Sequence, residues 1–288
     1  MTASLLRRLR FGHTVLSGAC LLLSLGVFAA PTLADAADQE GADIVAWLMA
    51  PTDPARAHDV DWITSWHGRL MVLIWCVLFP AGIMTARFFK IMPGQDWPSE
   101  LDNKRWWRTH LSTQYIGGGL LLLALGLAFY ASGTGLNDAV GWHQILGWTV
   151  AVLAAWQFLG GWLRGSKGGP TDPAPDGSPR GDHYDMTRRR RIFEYAHKAG
   201  GYLALLTACI AIITGLHAAN APRWMWLSIG GWWAVIIALA VWLQARGFAR
   251  DTYEAIWGPG AEHPGNNLPP IGLGVRRSSD GTSADHGD

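Results

Sequence analysis

Long apolar stretches alternate with short polar segments along most of this chain. Five of the stretches each come close to the ~20 residues that an α-helix needs to cross the hydrocarbon of a bilayer at about 1.5 Å per residue. We therefore predict an all-α membrane protein with five membrane-spanning helices. Their approximate limits are 66–88, 110–131, 143–163, 197–218 and 224–245.

The first 36 residues combine a basic start, an apolar stretch over 14–30 and small residues after it. This order is typical of a secretory signal, so 1–36 is predicted to be a signal peptide, with an uncleaved further span as the alternative. The segment 37–65 is predicted to be periplasmic and too short to fold as a domain. Its small apolar patch, 44–49, is long enough for a surface helix.

Basic residues are distributed unequally among the connections between the spans. The segment from Arg164 to Lys198 carries eight of them, including the run 188–191, and the connection after the first span is also basic. The connections 132–142 and 219–223 contain the single basic residue Arg223. By the positive-inside rule the basic connections face the cytoplasm, which predicts a multi-pass protein of the cell inner membrane.

The tail 246–288 is rich in glycine, proline and polar residues over much of its length. It has too few apolar residues to form a core of its own, so we predict a flexible cytoplasmic tail. The formal net charge of +1 gives no sign of a nucleic-acid partner. The three cysteines lie in apolar stretches without a CxxC or CxxCH pattern, so neither a disulfide framework nor covalent attachment of a cofactor is indicated.

Four histidines stand near the points where the first four spans enter the membrane. Ionisable residues at membrane depth are costly, so their recurrence in register predicts a functional role. Successive spans run antiparallel, which sorts the histidines into one pair at each face of the membrane. They are His67, His110, His143 and His197.

Alternate helices of a four-helix bundle lie diagonally across its core. His67 is therefore predicted to face His143 at the outer side, and His110 to face His197 at the inner side. Each pair would supply both axial ligands of one haem iron, which gives two b-type haems about 20 Å apart at the helical rise. The alternative is that these histidines are polar residues at headgroup depth.

Three glycines lie about one helical turn beyond a candidate ligand. Gly147 follows His143 by four positions, and Gly200 and Gly201 follow His197 by three and four. They share a helix face with their histidine, so we predict that they make room for a flat macrocycle. Close helix packing through small residues is the alternative.

Short motifs around the histidines resemble those of the cytochrome b561 family, especially its DOMON-linked branch. The first span reads Trp66-His67-Gly68-Arg69-Leu70-Met71 and continues with Pro80, Gly82, Ala86 and Arg87. Further similarities are Trp106 and Trp107 before His110, His143 with Gly147, and the basic run 188–191 before His197 with Gly200, Gly201 and Tyr202. The resemblance covers about 65–216.

The resemblance implies a four-helix transmembrane core over 66–218 that holds two b haems. His67 and His143 would bind the outer haem iron, and His110 and His197 the inner one. Proteins of this family move electrons between a donor on one side of the membrane and an acceptor on the other, in several members from ascorbate to monodehydroascorbate or ferric iron.

The leading hypothesis is therefore a di-haem cytochrome that carries electrons across the membrane and acts as an oxidoreductase with an ascorbate- or quinol-type donor. One alternative is the membrane cytochrome subunit of a larger oxidoreductase that exchanges electrons with quinol. Another is a haem-free transporter or scaffold. The expected partners are the lipid bilayer, an electron donor, an electron acceptor and a second copy of the chain.

Overall fold

A computed structural model describes residues 39–131, 141–165, 176–178 and 180–278. The predicted signal peptide, 1–36, and the connection at 132–140 lie outside the described residues. The last ten residues of the predicted flexible tail, 279–288, also lie outside them.

The described residues are mostly helical. A short helix, α1, is followed by five helices that are long and apolar enough to cross a membrane. Within the described ranges there is no β-strand, only two isolated bridges. The prediction of an all-α membrane protein is thus confirmed, and the described residues contain each of the five predicted spans. The helices are α1 Gln39–Met49, α2 Trp62–Phe88, α3 Arg105–Ala131, α4 Trp142–Trp162, α5 Arg188–Ala218 and α6 Arg223–Ala245.

Some of the helices begin well before the apolar stretches that predicted them. Helix α5 begins at Arg188 and reaches His197 only after more than two turns. The backbone can remain helical beyond the hydrocarbon because its hydrogen bonds do not depend on apolar side chains. Polar caps set the actual starts: Asp61 accepts hydrogen bonds from the backbone N–H groups of Ile63 and Thr64 at 2.8 and 3.0 Å.

Helix α2 changes its hydrogen-bond pattern ahead of a proline. Pro80 has no N–H to donate to the carbonyl of Cys76 four residues earlier, and the stretch Leu73–Leu78 just before it is a π-helix. The Cys76 carbonyl instead accepts a 2.7 Å hydrogen bond from the indole Nε1 of Trp232 in α6. This hydrogen bond links the first span, α2, to the fifth span, α6.

The described residues form two compact units. The first contains 39–79, 117–131, 141–146 and 209–237, and the second contains 80–116, 147–165, 176–178, 180–208 and 238–278. Each of the five long helices contributes residues to both units.

In the first unit, Asn220 joins the segment before α2 to the turn between α5 and α6. Its side-chain oxygen accepts from the N–H of Asp53 at 2.9 Å, and its nitrogen donates to the carbonyls of Asp53 and Arg56 at 2.9 and 2.6 Å. Asn220 is 3% exposed and has a positive φ of 46°, which asparagine tolerates better than most residues. The guanidinium of Arg56 in turn donates to the last carbonyls of α5.

In the second unit, the chain after α6 is folded. The prediction of a flexible tail is therefore wrong for the part up to residue 278. Residues Thr252–Trp257 form a helix, α7, and Pro264–Asn267 form a 3₁₀ turn. The apolar residues of this segment, Tyr253, Ile256, Trp257 and Ile271, are buried in a cluster with Trp106 and Met186. The segment's composition is misleading because Trp106 and Met186 come from other parts of the chain.

A buried ion pair closes this C-terminal segment on itself. The guanidinium of Arg277 lies 2.7 Å from a carboxylate oxygen of Asp251, and the two side chains are 10% and 5% exposed. Arg277 also donates to the carbonyls of Gly265, Asn266 and Leu268. One side chain thus holds both ends and the middle of the segment together.

We expect Arg277→Ala to release the C-terminal segment, because Asp251 would be left as a buried charge that has lost its partner. Breaking a buried pair in this way costs about 3–5 kcal/mol. Proteolytic cleavage within 252–278 should accelerate about a hundredfold or more in the detergent-solubilised protein, since cleavage follows local opening. Arg276→Ala, which changes the exposed neighbour, is the control and should leave the rate unchanged. Equal cleavage rates for the two variants would contradict this account of the segment.

Candidate functional site

The structure brings His67 of α2 together with His143 of α4 in the first unit. Their ring centres are 6.3 Å apart and the ring planes are inclined by 84°. Nδ1 of His67 lies 2.9 Å from the carbonyl oxygen of Ala124, and Nδ1 of His143 lies 3.0 Å from that of Ala211. Each ring is thus held by the main chain of a neighbouring helix, which leaves Nε2 available to bind a metal.

The second unit contains a pair with almost the same geometry. The rings of His110 in α3 and His197 in α5 are 6.4 Å apart and inclined by 84°. Nδ1 of His110 lies 3.2 Å from the carbonyl oxygen of Gly82. Nδ1 of His197 lies 2.8 Å from the side-chain amide of Gln157 in α4. All four rings are partly buried.

The separation within each pair can be compared with that of two imidazoles on one metal ion. Such an ion lies about 2 Å from each coordinating nitrogen. The centre of each ring lies about 1.1 Å further out, which puts the two ring centres about 6 Å apart. The observed 6.3 and 6.4 Å fit this distance, so both pairs have the spacing needed to hold one metal ion between two Nε2 atoms.

The amide of Gln157 has two chemically different orientations at His197. If its oxygen accepts from the N–H of Gly201 at 3.0 Å, its nitrogen donates to Nδ1 of His197. An imidazole that binds a metal through Nε2 instead carries its proton on Nδ1, and that proton needs the amide oxygen as acceptor. Metal ligation by His197 therefore requires the orientation in which the amide oxygen of Gln157 faces Nδ1.

Small residues permit the close contacts at both pairs. A Cβ atom on Gly82, whose carbonyl faces His110, would overlap the side chain of Thr113. A Cβ atom on Gly215 would lie 2.9 Å from Cε1 and 3.1 Å from Nδ1 of His143. Ala124 and Ala211 supply the other carbonyls with the smallest side chain that has a Cβ.

The three glycines predicted to admit a macrocycle differ in their surroundings. A Cβ atom on Gly147 would meet nothing within 4 Å, and one on Gly201 would come no closer than 3.8 Å to Gln157. A Cβ atom on Gly200 would lie only 2.5 Å from the Gln157 amide. Gly200 therefore makes room for the residue that contacts His197, and room for a macrocycle remains a prediction for Gly147 and Gly201.

The other described histidines lie apart from these pairs. His217 and His58 are exposed, and Nδ1 of His58 lies 2.7 Å from the carbonyl of Ala219. His183 looks like a polar loop residue in the sequence, but it is fully buried between Glu194 and the indole of Trp257.

Comparison with known proteins points to one family. The sequence model described as Eukaryotic cytochrome b561 matches residues 66–164. This range includes most of α2, all of α3 and α4, and three of the four paired histidines.

Several curated proteins are similar to somewhat more than half of this chain. A cytochrome b561, DM13 and DOMON domain-containing protein of Arabidopsis thaliana is 31% identical over 150 residues, which is 52% of this chain and 14% of that protein. Ferric-chelate reductase 1 of Bos taurus is 29% identical over 151 residues, or 52% of this chain and 22% of the reductase. A cytochrome b561 and DOMON domain-containing protein of Arabidopsis thaliana is 25% identical over 170 residues, or 57% of this chain and 34% of that protein.

The chain therefore spans about a third or less of the length of these relatives. No solved structure shows a significant match to the chain.

Proposed function

We propose that this chain, whose residues 66–164 match the sequence model of the cytochrome b561 family, is a di-haem b-type cytochrome that carries electrons across a membrane. His67 and His143 hold one haem, and His110 and His197 hold the other. Both haems are bound non-covalently. The donor and the acceptor are on opposite faces of the membrane.

The observation that carries this proposal is the matched geometry of the two imidazole pairs. Both separations suit one metal ion between two rings, and both pairs are made by helices long enough to cross a membrane. Three of the four rings have Nδ1 within 3.2 Å of a main-chain carbonyl, which can only accept. An acceptor at Nδ1 keeps the proton there and would leave the lone pair of Nε2 free to bind an iron.

The protein's part is to bind, orient and insulate. A haem with two imidazole ligands supplies reversible one-electron chemistry at its iron. The carbonyls of Ala124, Ala211 and Gly82 fix the planes of the ligand rings. The apolar helices keep the ligands out of bulk water, and the amide of Gln157 supplies an acceptor for His197 only when its oxygen is turned toward Nδ1.

The distribution of basic residues supports one orientation of the chain in the membrane. Because the run 188–191 and the connection after α2 are basic, we infer that they face the cytoplasm in a cell inner membrane. The His110–His197 pair is then on the cytoplasmic side and the His67–His143 pair on the outer side. One relative is named a ferric-chelate reductase, which supports a ferric acceptor. The donor we propose is of the ascorbate or quinol type.

A groove beside His197 favours a second candidate function. In this function the chain is the membrane subunit of a larger oxidoreductase and exchanges electrons with quinol. The groove is apolar apart from Arg189 and the imidazole of His197, and its aromatic rings can pack against a quinol ring. Its lining is Trp156, Gly160, Leu163, Arg189, Ile192, Phe193, Ala196 and His197. Quinol-dependent reduction of the haems in lipid vesicles, absent with ascorbate, would favour this candidate.

Single histidine replacements test the pairing. We expect His67→Ala and His143→Ala to remove the same haem, and His110→Ala and His197→Ala to remove the other one. Each replacement removes one imidazole from a pair, so the haem of that pair would be five-coordinate and weakly held. The other pair keeps both imidazoles. Visible spectra and haem content of the purified variants measure this.

His217→Ala is the matched control, since His217 is exposed on α5 outside both pairs, and it should retain both haems. Loss of the same haem in His67→Ala and His110→Ala, with His143→Ala sparing it, would contradict the pairing.

A glycine-to-alanine replacement tests the packing around one ligand. The added methyl group of Gly215→Ala would meet the ring of His143 at 2.9 Å, so the ring must move. Forcing a methyl group into a packed site costs about 1–3 kcal/mol, which corresponds to about a five- to hundredfold loss of affinity. We expect haem bound by His67 and His143 to be lost selectively during purification.

Gly126→Ala in α3 is the control, because its Cβ atom would meet nothing within 4 Å. A Gly215→Ala protein that keeps its full haem content through the same dilution and washing would show that His143 does not depend on this contact.

A further inference from the structure

Two arginines lie on the aromatic rings that contact the His110–His197 pair. The guanidinium of Arg164 is 4.2 Å from the ring centre of Trp107, and that ring is 6.0 Å from the ring of His110. The guanidinium of Arg190 is 5.2 Å from the ring of Phe193, which is stacked on His197 at 5.2 Å. Each histidine of the pair is therefore separated from an arginine by one aromatic ring.

Arg190 is buried and only partly satisfied. The residue is 7% exposed, and its Nε donates to a carboxylate oxygen of Glu194 at 3.0 Å. Its Nη1 is also buried, and among the described residues it has no hydrogen-bond partner. A buried guanidinium nitrogen without an acceptor is costly, so this atom favours an anion beside it.

The charges around Arg190 also favour an anion at this position. Burial lowers the pKa of Arg164, and repulsion by the positive charge of Arg190 lowers it further. The negative charge of Glu194 is already shared, because this carboxylate pairs with Lys198 at 2.9 Å as well as with Arg190. Partly buried cations that repel each other are stabilised by an added carboxylate.

We propose that Arg164 and Arg190 form a carboxylate site for the propionates of the haem held by His110 and His197. The assignment rests on the proposed di-haem function and extends it to the groups that anchor this haem. Arg190 precedes His197 by seven residues on α5, which puts the two on the same helix face about two turns apart. An anionic electron donor from solution has the same carboxylate or enolate chemistry, and the test below separates the two sources.

The test compares Arg164→Gln, Arg190→Gln and Arg190→Lys with Arg191→Gln, which changes an exposed neighbour on α5. Haem content is measured first, and the midpoint potential of each haem is then obtained by redox titration of the visible spectrum. The two haems are told apart by the histidine variants. Removing a positive charge beside the propionates favours the ferric state, so the potential of the haem at His110 and His197 should fall.

We expect each glutamine variant to shift the reduction equilibrium of this haem by about tenfold, which is about 59 mV for one electron. The other haem should not change. Arg190→Lys should retain most of the wild-type potential, and Arg191→Gln should match the wild type. Arg164→Gln carries particular weight because Arg190→Gln also removes a partner of the buried Glu194.

The possible results separate a failure of the proposed function from a failure of the carboxylate site. A wild-type protein without haem would contradict the proposed function, and this assignment would fall with it. Two haems with unchanged potentials in both glutamine variants, together with a raised KM for ascorbate, would assign the arginines to an anion from solution and overturn the proposal. Equal shifts in both haems would also overturn it, because the effect would then not be local.

Discussion

The structure depends on the hydrogen bond at Nδ1 of each paired imidazole. A histidine ring can aim one nitrogen only if its other nitrogen is held, and at His67, His110 and His143 the acceptor is a main-chain carbonyl of a neighbouring helix. Nδ1 of His67 bonds to Ala124, that of His143 to Ala211 and that of His110 to Gly82. Such bonds require a ring to approach a helix backbone closely, so the acceptors are carried by alanine or glycine.

The same demand explains features that have no direct chemical role. Inside a bilayer, each polar group must find its partner within the protein. Pro80 frees the carbonyl of Cys76, and the indole of Trp232 takes it up, which fixes α6 against α2. Gly200 leaves space for Gln157, whose amide faces His197. The packing of the helices, the orientation of the histidine rings and the position of α6 thus follow from the need to give these polar groups partners.

The sequence predicted the elements that carry a strong local signal. Five apolar stretches predicted five helices, and four histidines in register predicted which ring would meet which. The acceptors at Nδ1 could not be predicted, because a main-chain carbonyl has no side-chain signature. Gln157 was overlooked for a related reason: one amide in an apolar stretch has no meaning until its neighbour is known.

The folded C-terminal segment was missed because its stability is not local. Tyr253 and Trp257 are too few to indicate a core within a polar tail, and they become buried only against Trp106 and Met186. Arg277 has the same character, since its acceptors are a distant carboxylate and three loop carbonyls. Contacts between residues far apart in the chain are the part of a fold that composition and periodicity do not reveal.

The central claim is that each imidazole pair holds one haem, and the ratio of haem to protein tests it most directly. The protein is purified in detergent, haem is quantified as the pyridine haemochrome, and protein is quantified by amino-acid analysis. The account predicts two haems per chain, both low-spin and six-coordinate in the electron paramagnetic resonance spectrum. One haem per chain, or a high-spin signal of one haem in the resting protein, would contradict it.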